Sequence, residues 1–398
     1  MTTRREFLTG MAIGTASVLG WNSFSKSAIQ SQEKPLGSQT GETITLGKTG
    51  LKVGRIGLGA ARFTKDKTDE EAARLVNLCL DSGMNLVDTA CNYGDDWASW
   101  RVLGKVFKTR KRDDFILSNK LEWTDEEINR LKLTKSVEEQ VDISLKTMNV
   151  DYIDMYLVHC LYNAGTYDKL VQGRYIEDMI KVRDKGKVRF IGITGHCHPA
   201  MIQACKRYPE IEVVMGGQNI MREYFFFDRD AALLNNYAQR HNLGILVMKP
   251  IVVGAVTKNS DVALKYAMTQ PMAVPIPGMS EIEQVKMNVK AAQEFSALTP
   301  EQQQKWREPE TILDGPACSN CKYCINGETD TIDIPQLVLA AQYGERFGMK
   351  EWSSKDKQSK KLSQDLKKIT PDMAKRYAQR CPVELPVEEL LKKSAQYV

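Results

Sequence analysis

The sequence predicts an α/β fold: a closed (β/α)8 TIM barrel followed by a helical C-terminal extension that carries several cysteines. Eight short apolar runs alternate with longer amphipathic segments over about 250 residues, which is the length and rhythm of such a barrel. Reactive polar side chains end three of the runs, and a barrel collects the ends of its strands at one rim. Four of the nine cysteines fall after residue 317, outside the alternating region.

Short apolar runs predict the strands, and polar starts with amphipathic spacing predict the helices. The strands are expected at Val53 to Gly59, Asn85 to Asp88, Phe115 to Lys120, Tyr152 to His159, Val188 to Thr194, Val213 to Gly217, Gly244 to Lys249 and Val274 to Gly278. The helices between them include Thr68 to Asp81, Ser136 to Met148, Ile176 to Lys185, Arg229 to His241 and Ser280 to Ala291.

A doubly wound open sheet is the alternative to the barrel. That fold places a glycine-rich phosphate-binding turn after an early strand. The segment Gly57-Leu58-Gly59-Ala60-Ala61-Arg62 occupies that place and lacks the third glycine. The barrel is therefore the favoured architecture.

The chain divides into four parts. In residues 1–28, the pair Arg4-Arg5 precedes a mild apolar run and small residues, an order typical of a cleavable leader. This order resembles the twin-arginine export signal, which carries folded proteins, and a frayed amphipathic helix is the alternative. Residues 29–41 are polar and indicate a linker, residues 42–298 carry the barrel pattern, and residues 299–398 form the extension.

Composition makes two classes of partner unexpected. With 42% hydrophobic and 26% charged residues, the 398-residue chain has the composition of a folded globular protein. Its net charge of +5 is spread along the chain rather than gathered on one face, so we expect no nucleic-acid partner. No stretch reaches about 20 consecutive apolar residues, so we expect no stable membrane insertion.

Four reactive residues are expected at one mouth of the barrel. Asp88, Lys120 and His159 end three predicted strands, and Tyr93 follows Asp88 by five residues. Each alone has a structural explanation, such as helix capping or core packing, but a barrel brings all four together. Reducing a carbonyl by hydride requires a proton donor for the developing alkoxide, and a tyrosine of pKa about 10 serves when its anion is stabilised. We expect the Lys120 ammonium to lower the pKa of Tyr93, Asp88 to orient Lys120, and His159 to bind the carbonyl oxygen.

Three motifs at these positions resemble those of the aldo-keto reductases, over about Ile44 to Ala292. They are Asp88-Thr89-Ala90-Cys91-Asn92-Tyr93-Gly94, Ser118-Asn119-Lys120 and Leu157-Val158-His159. The resemblance implies an NAD(P)-dependent oxidoreductase in which Tyr93 is the general acid, Lys120 and Asp88 tune it, and His159 orients a carbonyl or sugar substrate. A regulatory or redox-partner module that binds the cofactor without physiological turnover is the alternative.

The resemblance also implies a dinucleotide bound in an extended form across the barrel mouth. The implied contacts are Thr194, Gly195, Gln218, Lys249 and Pro250 for the nicotinamide half, and Gly278, Ser280, Gln284 and Asn288 for the adenosine half. Gly278 and Gln284 stand where family members that select a 2′-phosphate place a lysine and an arginine, and Glu281 and Glu283 are nearby. Acidic neighbours repel a phosphate dianion, so we expect NADH to bind at least as well as NADPH.

The C-terminal cysteines have the spacing of a metal centre. Cys318, Cys321 and Cys324 form a Cys-x2-Cys-x2-Cys run, the arrangement that ligates iron–sulfur clusters. Cys381, which precedes a proline, supplies a fourth thiolate, as in a half-retained ferredoxin module. The sequence predicts one 4Fe-4S cluster, so that the tail is a C-terminal helical iron–sulfur extension. A zinc site and two disulfides are the alternatives.

Export by the twin-arginine translocase would carry the assembled cluster across the membrane inside a folded protein. The sequence therefore predicts a periplasmic or extracellular location. The cluster either stabilises the tail or passes electrons to a partner protein, and both uses are compatible with the sequence.

Overall fold

The computed structural model describes residues 41–64, 67–162, 164–220, 231–252, 256, 258–307, 318, 321–325, 332–347 and 357–398. The expected leader, residues 1–28, lies outside these residues, as does all of the expected linker except residue 41.

A two-stranded antiparallel hairpin, β1 (Ile44–Thr45) and β2 (Lys52–Val53), precedes the barrel. The strand predicted from Val53 to Gly59 is therefore wrong at its start, because Val53 pairs with Ile44 and the first barrel strand begins at Leu58. The Gly54 backbone N–H donates to Asn85 Oδ1 over 2.8 Å, so a side chain fixes the connection between the two strands.

Eight parallel strands form one sheet in chain order. They are β3 (Leu58–Gly59), β4 (Leu86–Asp88), β5 (Ile116–Leu121), β6 (Ile153–Leu161), β7 (Val188–Gly195), β8 (Ile211–Gly217), β9 (Gly244–Met248) and β10 (Ala273–Pro275). The first and last strands meet, because Gly57 and Gly59 donate to the Pro275 and Pro277 carbonyls over 2.9 and 3.0 Å. The parallel bridge between Gly59 and Gly278 joins the same two strands, so the expected (β/α)8 architecture is confirmed.

Glycine is required at Gly59, where the two ends of the sheet meet. A Cβ atom there would lie 2.5 Å from the Ile276 carbonyl oxygen, which no real Cβ contact tolerates. The close approach of the two backbones thus explains why this strand ends in glycine.

The interior of the sheet holds a compact apolar cluster. It consists of Leu46, Leu51, Val53, Leu86, Met155, Leu157, Val213, Met215, Leu246, Val274 and Ile276. The first three belong to the hairpin segment, which therefore covers the amino ends of the strands. Water is excluded from that end, and the carboxyl ends remain as the open mouth.

Helices follow the strands and cover the outside of the sheet. They are α1 (Asp69–Asp81), α2 (Ala98–Phe107), α3 (Asp125–Leu131), α4 (Val137–Met148), α5 (Ala164–Gln172), α6 (Tyr175–Asp184), α7 (His198–Arg207), α8 (Ala231–Arg240), α9 (Ser260–Thr269) and α10 (Ile282–Gln293). The predicted starts at Thr68 and Ser136 are the N-caps of α1 and α4, whose side chains accept from Glu71 and Glu139 backbone N–H groups.

The extension is helical, as expected. Its described helices are α11 (Pro300–Arg307), α12 (Ile334–Phe347), α13 (Lys357–Leu366), α14 (Pro371–Gln379) and α15 (Val387–Ser394). Helices α12 to α15 enclose a second apolar core that includes Leu337, Tyr377 and Leu391, and Cys318, Cys324 and Cys381 pack against it.

Candidate active site

Strand alternation delivers the predicted residues to the inside of the mouth. Leu86, Met155 and Leu157 belong to the interior cluster, and Asp88 and His159 each follow an interior residue by two positions. Side chains two apart on a strand share a face, so both residues point inward, one layer above the apolar interior. On β5, Ser118 pairs with Asp88 of β4. Lys120 follows Ser118 by two positions, so its side chain lies on the same inward face.

Lys120 and Asp88 form a buried ion pair. Lys120 Nζ lies 2.6 Å from Asp88 Oδ2, and each residue is 2% exposed. Lys120 also donates to the Thr89 carbonyl over 2.9 Å, and Ser118 Oγ donates to Asp88 Oδ1 over 2.7 Å. Burial acts against the ammonium, but Asp88 and Tyr93 outweigh it and hold the pKa of Lys120 above its ordinary value.

Tyr93 lies between the ion pair and the imidazole. Lys120 Nζ is 4.8 Å from the centroid of the Tyr93 ring, and the ring meets that of His159 edge to face at 6.2 Å. Burial raises the pKa of Tyr93 to about 12, although the Lys120 cation opposes the rise. The expected lowering of the Tyr93 pKa is therefore wrong, because the cost of desolvating the phenolate exceeds the attraction of the Lys120 ammonium. Tyr93 keeps its proton at neutral pH.

His159 is held by a carboxylate that the sequence analysis did not single out. His159 Nδ1 lies 2.5 Å from Glu122 Oε1, and Glu122 is 3% exposed. Trp123 Nε1 donates to the His159 carbonyl over 2.7 Å, which fixes the backbone as well. The signal for Glu122 was present in the sequence, since it follows Lys120 by two residues and continues the inward face of β5.

Residues at the ends of β7, β8 and β9 surround the next part of the mouth. Thr194 and Gly195 are the last residues of β7, and Thr194 is 1% exposed. Gln218 directly follows β8, is 6% exposed and lines a small cleft with Tyr266 of α9 and Arg307 of α11. Its Oε1 atom has no hydrogen-bond partner among the described residues. Lys249 precedes Pro250 after β9, and its Nζ donates to His196 Nε2 over 2.8 Å. Burial lowers the pKa of His196 to about 2, which is consistent with a neutral ring that accepts this bond.

The residues expected at the adenosine half lie just before α10 and along it. Gly278 forms the bridge that joins the first and last strands, and Asn288 is buried on the helix. Gln284 Oε1 accepts from the Ser280 backbone N–H over 2.7 Å, so this side chain caps the helix. Glu281 pairs with Lys67 across 2.9 Å.

The four predicted cysteine ligands line one cleft in the extension. Cys318, Cys321, Cys324 and Cys381 line one open cleft together with Lys322 and apolar residues. Burial raises the pKa of Cys324 to about 11, and the neighbouring Cys321 and Cys381 add to the effect. All nine cysteines are among the described residues and none forms a disulfide, so the structure does not show the two-disulfide alternative.

Two kinds of feature are absent from the described residues. No group of three or more His, Cys, Asp or Glu side chains there is placed to hold a metal ion. Within the same residues, no helix combines the length and the apolar character that crossing a membrane requires.

Comparison with curated proteins places the barrel among known enzymes. The model of the aldo/keto reductase family matches residues 55–262. L-galactose dehydrogenase of Arabidopsis thaliana is 26% identical over 314 residues, which cover 69% of this chain and 94% of that protein.

Solved structures share the fold. An aldo-keto reductase of Bacillus halodurans in its holo form has a TM-score of 0.56 at 23% identity, covering 66% of this chain and 94% of its own. An aldo-keto reductase of Klebsiella pneumoniae in complex with NADPH has a TM-score of 0.52 at 19% identity, covering 69% and 96%. The family model spans more than half of the 398 residues. The chain therefore belongs to the aldo/keto reductase family and is an NAD(P)-dependent oxidoreductase that acts on carbonyl groups.

Proposed function

We propose that this enzyme transfers a hydride between a nicotinamide dinucleotide and a carbonyl or hydroxyl carbon at the mouth, with Tyr93 as the general acid/base. The observation that carries the proposal is the buried Lys120–Asp88 pair, whose ammonium lies 4.8 Å from the centroid of the Tyr93 ring. A fixed cation beside a phenol is an arrangement for proton transfer, since it stabilises the phenolate when the proton leaves.

The proton chemistry follows from this geometry. In reduction, the substrate carbonyl carbon gains a hydride and its oxygen gains the Tyr93 proton, which leaves an alcohol and a tyrosinate. Lys120 stabilises the tyrosinate until solvent returns a proton to it. Because the pKa of Tyr93 is raised to about 12, the acid form is ready before the reaction begins. The reverse sequence oxidises an alcohol, with the tyrosinate as the base.

The proposed nicotinamide dinucleotide would be held by residues at the ends of β7 to β9 and by residues before and on α10. Gln218 Oε1 is a buried acceptor without a partner among the described residues, and a carboxamide N–H is a suitable donor for it. Thr194, Gly195, Lys249 and Pro250 complete the proposed nicotinamide side, and the proposed adenosine side is formed by Gly278, Ser280, Gln284 and Asn288. When bound, the nicotinamide supplies or accepts the hydride.

We propose that the enzyme binds NADH at least as well as NADPH. Glu281, the N-cap residue of α10, presents a carboxylate beside the proposed adenosine contacts. Glu281 also forms an ion pair with the nearby Lys67 at 2.9 Å. Free ribose hydroxyls suit such a site better than a phosphate dianion does. The NADPH complex of the Klebsiella pneumoniae protein supports the dinucleotide class, and the choice between the two forms rests on these residues.

The substrate class is a hydroxylated carbonyl compound or the corresponding alcohol, such as a sugar. The similarity to L-galactose dehydrogenase, over 94% of that protein, supports a sugar substrate. The twin arginines, Arg4 and Arg5, support export by the twin-arginine translocase to the periplasm or the extracellular space.

The extension is proposed to hold one 4Fe-4S cluster. Its spacing is that of cluster-binding proteins. All four cysteines line one cleft with Lys322 and apolar residues, although no group of three described side chains is placed to hold a metal ion. Thiolates are the ligands that such clusters require, so Cys318, Cys321, Cys324 and Cys381 would hold it. The cluster would stabilise the extension or supply electrons to a partner.

Replacing Tyr93 with phenylalanine tests the proposed chemistry. Tyr93→Phe removes the transferable proton and keeps the ring, so we expect kcat for aldehyde reduction to fall by at least about 100-fold while the dinucleotide affinity is unchanged. Tyr167→Phe on α5 is the matched control and should leave both quantities unaltered. Unchanged turnover in Tyr93→Phe would contradict the role of Tyr93.

A further inference from the structure

The small cleft that Gln218 lines lies between the barrel and the first helix of the extension. Its wall includes Tyr266 on α9, Gln270 just after that helix, and Gln303 and Arg307 on α11. Among the described residues that line this cleft, Arg307 is charged and none carries a carboxylate. The cleft therefore holds a cation without a counter-ion in its described lining.

Helix α11 is fixed to the barrel by its own contacts. The Leu298 backbone N–H, just before the helix, donates to Thr269 Oγ1 over 3.0 Å. Leu298 and Trp306 pack against an apolar cluster that includes Ile220 and Tyr266, from the segment after β8 and from α9. The cleft between these elements is therefore formed by the packing of the chain itself, as expected of a ligand site.

Arg307 has a buried donor in this cleft that no described group satisfies. Its Nε atom is buried and has no hydrogen-bond partner among the described residues. Its Nη2 atom donates to the Tyr266 hydroxyl over 3.4 Å, which is long for a hydrogen bond. A guanidinium stays charged at neutral pH, and a buried donor that is left unpaired is costly. The planar fork of an arginine matches the oxygens of carboxylates and phosphates, so an oxyanion is the suitable partner.

The other polar groups of the cleft add donors and one acceptor. The Tyr266 hydroxyl accepts from Arg307 and keeps its own hydrogen, and the Gln303 amide donates one of its two hydrogens to the Leu298 carbonyl over 3.0 Å. Gln218 is 6% exposed, and its Oε1 atom is an acceptor without a partner among the described residues. A ligand that satisfies the cleft therefore brings negative charge, acceptor oxygens and one hydrogen to donate.

We propose that this cleft binds a small oxyanion that carries an O–H group, the class to which inorganic phosphate belongs. Arg307 and Tyr266 contact the charged oxygens, and Gln218 Oε1 accepts from the O–H group. An amide oxygen has two lone pairs, so this contact is compatible with the nicotinamide contact proposed for the same atom. The inference goes beyond the proposed function, because no step of hydride or proton transfer passes through the cleft.

A comparison of phosphate with sulfate tests the chemistry of the cleft. At pH 7 inorganic phosphate keeps at least one O–H group, whereas sulfate has a similar shape and no hydrogen. Calorimetric titration of the full-length protein without dinucleotide, at matched ionic strength, should show saturable phosphate binding. The Kd for phosphate should be about tenfold lower than that for sulfate, which is the value of one good hydrogen bond. Charge alone would favour sulfate, so this preference reports the O–H group.

Three variants locate the binding in the cleft. Arg307→Gln should raise the Kd for phosphate by at least about tenfold, because a charge-assisted contact is lost. Lys305→Gln is the matched control, since it removes a positive charge from the same helix outside the cleft, and it should leave the Kd unchanged. Gln218→Leu should still bind both anions but should lose the preference for phosphate over sulfate.

Several outcomes would overturn the proposal. Wild-type protein without saturable phosphate binding would mean that water alone fills the cleft, and equal affinities for phosphate and sulfate would remove the contact assigned to Gln218. Unchanged phosphate binding in an Arg307→Gln variant with a native circular dichroism spectrum would place the anion elsewhere. An equal loss in Lys305→Gln would show a general attraction to positive charge. The comparison of the two anions uses wild-type protein, so it decides the question even if a variant fails to fold.

Discussion

Removing the Asp88 carboxylate is expected to leave the buried Lys120 ammonium without a counter-ion. Lys120 Nζ and Asp88 Oδ2 are 2.6 Å apart, and both residues are 2% exposed. At an effective dielectric constant of 20, unit charges at that separation attract by about 6 kcal/mol, before the cost of desolvating them. Breaking a buried pair from one side costs about 3–5 kcal/mol, so we expect Asp88→Asn to lower the free energy of unfolding by that amount.

Urea denaturation of the full chain measures this loss, and a double variant isolates its cause. Asp88→Asn combined with Lys120→Met removes both charges, so it should be more stable than the sum of the two single variants predicts, by several kcal/mol. Asp178→Asn is the surface control: its partner Lys181 lies 2.7 Å away on the exposed face of α6, and the loss should stay below about 1 kcal/mol.

Two results would refute this reasoning. The first is a loss in Asp88→Asn as small as that of the surface control, which would mean that the pair is not buried. The second is strict additivity in the double variant, which would mean that the two charges do not interact.

Three further predictions concern the cofactor, the proton and the extension. Fluorescence titration should give a Kd for NADH no higher than that for NADPH. Glu281→Arg should improve NADPH binding, because it replaces a repelling charge with an attracting one. A strong NADPH preference in the wild-type enzyme would contradict this prediction. The kcat/KM for reduction should show no loss from Tyr93 ionisation between about pH 7 and 10, since the pKa of Tyr93 is raised to about 12 and the acid form persists below that value. A fall in kcat/KM near pH 8 that Tyr93→Phe abolishes would contradict this prediction. Anaerobically purified protein should contain iron and sulfide. Cys381→Ala should lower the iron and sulfide content, whereas the control Cys197→Ala, in the barrel, should not. Stoichiometric zinc without iron would contradict the cluster.

Much of the mouth could be predicted because a barrel converts sequence position into spatial position. Asp88 and His159 each end an apolar run, and parallel strands bring the ends of such runs to one rim. Glu122 escaped detection because the predicted strand stopped at Lys120, although the alternation of inward side chains continues for two more residues. The alternation, rather than the end of the apolar run, was the better guide to which side chains face the mouth.

Other features depend on packing that no local pattern encodes. The strand predicted at Val53 to Gly59 is split because Val53 is apolar for a different reason: it fills the amino end of the barrel. The pKa of Tyr93 was expected to fall because the sequence shows the neighbouring cation but not the degree of burial. In the structure burial is the larger effect, so the direction of the shift reverses.

Two carboxylates at the mouth, Asp88 and Glu122, each hold a side chain of the proposed active site. On one side Asp88 fixes Lys120, and Lys120 acts on Tyr93, a hydrogen-bond donor in its acid form. On the other side Glu122 Oε1 lies 2.5 Å from His159 Nδ1 and holds the imidazole ring in place. The apolar interior below excludes water, so both groups can meet a ligand only from the open end. A substrate that enters there therefore meets Tyr93 and His159 together, and loss of either carboxylate acts on the substrate through the side chain that the carboxylate holds.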